Sequence, residues 1–157
     1  MPQVLIHDLI RQFREIQDGS PWFDQSFTDK LKGLTEAEGL TRPLPALHSV
    51  AEHLSHILEW RKECLRRLRD EYTDLMNSPD DWKDNTTIAR TGWAALQQQF
   101  VASTADMISA LQGRDDEYLQ TPFREEGYTF HYLFEGIIQH DLYHLGQIGI
   151  TLKLLRR

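Results

Sequence analysis

The sequence predicts an all-α fold, a bundle of four long helices. Three observations lead there. Apolar residues recur at threes and fours along four segments, as one buried helical face requires. No segment alternates apolar and polar residues with the period of two that marks a half-buried strand. Capping residues and glycines punctuate the four segments where helices should begin and end.

The first long helix is expected from about Gln3 to Gln17, with Leu5, Leu9, Phe13 and Ile16 as its stripe. Asp18-Gly19-Ser20-Pro21 stops it. A long connection then runs to Pro45, a crossover that permits more than the simple up-down order. Trp22 and Phe23 are expected to pack on the bundle. FTDKLKGL reads as a short helix ending near Gly33, and Thr35 to Glu38 as a capping box opening one more turn. The second long helix is expected from Ser49 to about Tyr72, capped by Ser49 with Glu52 three residues on. Val50, Leu54, Ile57, Leu65 and Leu68 mark its core face. The third is expected from Thr87 to Gln112, with Ala89, Trp93, Leu96, Phe100, Met107 and Leu111 inward and Gly113 closing it. The fourth runs from about Thr129 to Leu155.

At 157 residues the chain reads as a single domain, 1–157, large enough to bury a core without disulfides or a structural metal. A net charge of −7 without a sizeable basic cluster argues against nucleic acid as a partner. One cysteine, Cys64, rules out an intrachain disulfide framework and suits a reducing cytoplasm. MPQVLIHDLIRQF lacks the basic flank and apolar run of a signal peptide, and no stretch has the roughly 20 apolar residues that span a membrane.

The residues that carry chemistry lie in IIQHDLYHLGQIGITL, where His140 and His144 are four apart. On a helix that spacing puts both imidazoles on one face, one turn apart, and two such rings can hold one metal ion. Histidine pairs at this spacing also arise by chance, so a third ligand from another helix is needed. The second long helix offers His48, His53 and His56. Periodicity alone favours His53, roughly 60° from Val50 and about 100° from Leu54 around the helix, while His56 lies further towards the polar side.

HSVAEHLSHILEWR and QHDLYHLGQIGI resemble the metal-binding helices of the DinB/YfiT-like superfamily of four-helix bundles. DGSPWFDQSFTDKLKGLTEAEGLTRPLP resembles that family's connection between the first two helices. The resemblance covers most of the chain, with the third helix weakest. It implies His56, His140 and His144 as the metal ligands, and it puts His53 where the family usually has an apolar residue. It further implies a divalent metal ion, zinc or nickel, with water in an open position. A homodimer is also implied, and Trp60, Phe134 and Leu142, outside the simple stripes, are its weak support. Characterised relatives include thiol S-transferases and isomerases that use low-molecular-weight thiols such as bacillithiol or mycothiol.

Three neutral imidazoles leave a metal its full charge and an exchangeable site, the arrangement of catalytic centres. Glu59, one turn after His56, and Asp141, directly after His140, are candidates to orient a ligand or shuttle a proton. Gln147 can reach the site from one turn beyond His144, whereas Tyr143 is expected in the core. Cys64 is about 12 Å along the helix from His56, too far to share its metal, and reads as a small buried hydrophobe. The expected function is that of a metal-dependent thiol S-transferase acting on a small molecule. The alternatives are a metal-dependent hydrolase and a non-catalytic, stress-associated metal-binding protein.

Overall fold

A computed structural model describes residues 2–124 and 127–157. Its α-helices are α1 (Val4–Asp18), α2 (Phe27–Leu31), α3 (Glu36–Gly39), α4 (Val50–Arg67), α5 (Asn85–Thr91), α6 (Trp93–Leu111), α7 (Asp116–Leu119) and α8 (Phe130–Leu155). A short 3-10 turn, Leu75–Asn77, follows α4. The described residues contain no strand, only an isolated bridge between Pro122 and Thr129. No helix among them is long and apolar enough to cross a membrane.

Helix α4 packs against both α6 and α8, and α1 closes the other side of the bundle against α6 and α8. Phe13 of α1 meets Phe134 of α8 edge-on, and Phe27 of α2 meets Phe100 of α6 in the same way. Both pairs use the edge-to-face geometry that aligns a ring's positive rim with its neighbour's negative face. Local caps fix several helix starts. Ser26, Thr35 and Ser49 each form a reciprocal capping box with the acidic residue three positions on. Helix α1 is capped from a distance: the Asp116 carboxylate accepts the N–H groups of Val4, Leu5 and Ile6 at 3.0–3.1 Å. This satisfies orphan donors and sets a negative charge at the positive end of the helix.

The structure corrects several expectations of detail. The second long helix ends at Arg67 and not near Tyr72. Asp70 adopts φ 58°, and the Glu71 N–H returns to the Arg66 carbonyl, closing the end by a left-handed cap. Leu65 and Leu68, near that end, are only partly buried. The third helix is two helices, because Gly92 sits at φ 90°, where an L side chain is strained. The break changes the helical phase, so Ile88 is buried while Ala89 is exposed. It also lets Trp93 lie against Gly39, where a Cβ would come within 2.9 Å of the indole. Trp22 and Phe23 do not pack on the bundle: a turn from Pro21 to Asp24 carries both outward, leaving Trp22 fully exposed. Phe134 is core, and Tyr143 is exposed.

The turn after α4 is held by one carboxylate. Glu63 is buried and accepts from Arg66, Arg67, and both the N–H and hydroxyl of Thr73. Burial opposes its ionisation, but the bonds from Thr73, Arg67 and Arg66 outweigh that and hold its pKa below the ordinary 4.5. A carboxylate with a depressed folded pKa gives stability that is complete above its unfolded pKa and is lost as pH falls through the folded one. Urea unfolding should therefore show wild-type stability declining below about pH 4.5, with a shallower decline in Glu63→Gln.

Candidate functional site

Three histidines from two helices converge at one end of the bundle. His140 and His144 project from one face of α8, and His56 faces them from α4. One ring nitrogen from each lies within 4.8 Å of the other two. The Nε2 atoms of His56 and His140 are 3.0 Å apart. Two of the rings are buried, and His140 is partly exposed.

The outward nitrogens show how each ring is held. His56 Nδ1 lies 2.7 Å from the backbone carbonyl of Asp81 and 3.1 Å from its carboxylate. His144 Nδ1 lies 3.3 Å from Nδ1 of His53. His140 Nδ1 and Asp141 Oδ1 are both buried without a hydrogen-bond partner and stand 4.0 Å apart. For His56 and His140 the arrangement thus directs Nε2 inward; it gives His56 Nδ1 an acceptor outside and leaves His140 Nδ1 facing the Asp141 carboxylate beyond bonding distance. A metal-ligating imidazole needs this outer acceptor to fix its tautomer and ring orientation. The donor set therefore fits a divalent cation that accepts nitrogen ligands, as zinc and nickel do.

The ring nitrogens are also in the protonation state that ligation needs. Burial, followed by repulsion from neighbouring imidazoles, pushes His140 down to about 3 and His144 down to about 4. Burial lowers His56 as well, against the opposing pull of Asp81. All three are neutral at pH 7, with lone pairs free to bind a cation.

A family model described as the DinB superfamily matches residues 24–148. The chain belongs to the DinB superfamily. No match was found among curated proteins or among solved structures. The matched span takes in all three clustered histidines of this DinB-superfamily chain and leaves α1 outside.

The other residues singled out by the sequence pattern now have places. Asp141 is fully buried and bonded through Oδ2 to Arg61 at 2.8 and 3.0 Å. Burial pushes its carboxyl up, and the Arg61 guanidinium opposes that. Glu59 is not brought to the cluster: it accepts from Lys62 and Lys83 and lines a separate cleft. Gln147 interacts with the His144 imidazole and favours its protonated form, without reaching full hydrogen-bond geometry. Cys64 is buried, which pushes its thiol pKa well up and keeps it inert.

Sequence reasoning missed Asp81, Trp82 and Arg61. Trp82 is sandwiched between the rings of His48 and His56, at 3.8 and 3.9 Å. Asp81 and Trp82 belong to a loop, whose path no periodicity specifies. Arg61 did leave a signal: it occupies the stripe position between Ile57 and Leu65, where an apolar residue is expected.

Breaking the Arg61–Asp141 pair leaves one buried charge uncompensated. Asp141→Ala should destabilise the fold by about 3–5 kcal/mol in chemical denaturation. Replacing both residues by leucine should recover part of that loss, because no charge is then left buried, while the Ser103 and Thr104 hydroxyls lose their Arg61 donor.

Proposed function

We propose that this protein binds a divalent cation, zinc or nickel, through His56, His140 and His144, and is a metal-dependent enzyme of the thiol S-transferase type. The observation that carries the proposal is the convergence of three neutral imidazoles on the wall of an open cavity of about 530 Å³. A cation held by three neutral ligands supplies positive charge that favours the deprotonated form of a water or thiol at its open position. The cavity supports catalysis over mere metal storage, since it gives a small molecule room beside the three rings.

The chain's own residues have separable tasks in this reading. Asp81 and His53 hold the His56 and His144 rings, and the Asp141 carboxylate lies 4.0 Å behind His140. Trp82, stacked on His56, keeps water from one side of that ring. The inert Cys64 supports a thiol supplied from outside, of the low-molecular-weight kind that bacillithiol and mycothiol represent. A hydrolase using the same centre would differ in taking water where the thiol enters. The proposal includes a homodimer: exposed Trp22 and Phe23 line a groove with Leu142, an aromatic patch bordered by Arg11, Gln12 and Glu15 and suited to a second copy. Light scattering at high micromolar concentration should give the dimer mass, and a monomer mass would remove that part.

Metal analysis of protein purified without a histidine tag should find about one divalent ion per chain. Binding at a hundred times Kd raises stability by about 2.7 kcal/mol through linkage. That increment, read as a chelator-sensitive thermal shift, should vanish in His56→Ala. In His53→Ala it should shrink to about 0.4–1.4 kcal/mol without vanishing, because His144 loses its outer partner and affinity falls roughly 10–100-fold. The opposite pattern would make His53 the third ligand. Cys64→Ser should keep both metal content and thiol transfer, and loss of transfer with metal retained would point to the chain's own thiol.

A further inference from the structure

The cavity beside the three histidines has a character that the metal-site reading does not explain. Its far walls are aromatic and apolar: Trp60 and Trp82 near His56, Tyr128 and Tyr132 further out, Met76 at the rim and Ile137 on α8. The charged side chains that line it, apart from the histidines, are Arg67 and Asp81, and both are engaged. Arg67 donates to the buried Glu63 carboxylate and to the Tyr128 hydroxyl. Asp81 accepts from the Trp60 indole N–H at 2.8 Å and faces His56. Among the described residues that line the cavity, no unpaired charge awaits a carboxylate, sulfonate or phosphate. A volume of about 530 Å³ lies in the usual range for small-molecule sites.

We infer that this cavity binds a neutral, apolar, ring-bearing small molecule, whose flat body lies among the indole and phenol rings with one end directed at the three histidines. A hydrophilic thiol bearing several charges does not match these walls, so the apolar partner and the thiol are different molecules. Burying a ring there removes apolar area from water and gains offset or edge-on aromatic contacts. The inference deepens the metal-site reading, because the cavity opens onto the same three rings.

Gly136 offers a test that leaves the ligands alone. It lines the cavity from α8, and a Cβ built there meets nothing within 4 Å. A leucine at this position is a better helix former than glycine. Helical side chains lean towards the N-terminus, so it would fill the cavity and tilt away from His140. Gly146, on the same helix with equally open space and outside the cavity lining, is the matched control. The probe is N-phenyl-1-naphthylamine, a neutral two-ring-system fluorophore that brightens in apolar surroundings. Naphthalene-1,5-disulfonate, of similar ring size but doubly charged, is the competitor.

The full chain, chelator-treated and zinc-loaded in parallel, should bind the neutral probe saturably at one site. Gly136→Leu should weaken binding about ten-fold or more, Gly146→Leu should match wild type, and the disulfonate should not compete. Saturable binding unaffected by Gly136→Leu, equal competition by the disulfonate, or no saturable binding to wild type would each overturn the inference. Probe binding that persists where zinc fails to bind would remove the metal reading and leave this one standing.

Discussion

The buried contact between Arg61 and Asp141 organises the bundle. Arg61 leaves α4 and is fully buried. It donates to Asp141 on α8, and its Nη1 donates to the Phe100 carbonyl, the Ser103 hydroxyl and the Thr104 hydroxyl on α6. Thr104 in turn donates to the Gln17 side chain of α1. One polar path therefore touches all four long helices. The guanidinium also lies over the Phe100 ring, 4.5 Å from its centre. Removing a full charge from water is costly, and only a geometry that supplies several partners offsets it. An axial slip of α4 against α8 would break that geometry, so the pair favours one register over its neighbours.

Register decides whether a site exists at all. His56 lies five residues before Arg61, and His140 directly precedes Asp141. Fixing Arg61 opposite Asp141 therefore brings His56 opposite the histidines of α8. Asp141 serves both ends of this relation, with one oxygen on Arg61 and the other buried 4.0 Å from His140 Nδ1. Fold and site share an atom group, so their energetics are coupled.

The parts of the structure governed by helical period were legible beforehand. The four long segments, the Ser49 cap and the shared face of His140 and His144 follow from local spacing and capping chemistry. Choosing His56 over His53 was beyond periodicity, and the structure gives the reason: both residues are buried. His56 joins the cluster, while His53 reaches the back of the His144 ring. A hydrophobic stripe separates inside from outside, but it cannot rank two positions that both end up inside. The break at Gly92 was obscured because Ala89, Trp93 and Leu96 are spaced as on one continuous helix, although Ala89 ends up exposed. Trp22 misled because size and hydrophobicity predict burial only when the backbone carries the residue inward.

The cavity wall is shared between the long helices and the connections between them. The clamp and the three histidines sit on long helices, whereas Met76, Trp82 and Tyr128 come from connections between them. Substitutions in those connections leave the Arg61 network untouched and change the shape of the space in front of the histidines. Loops tolerate such change far better than packed helices do. The cavity wall thus has a helical part that resists sequence drift and a loop part open to it. A lineage built on this plan can reshape that space by altering loops, with the same three rings retained beneath.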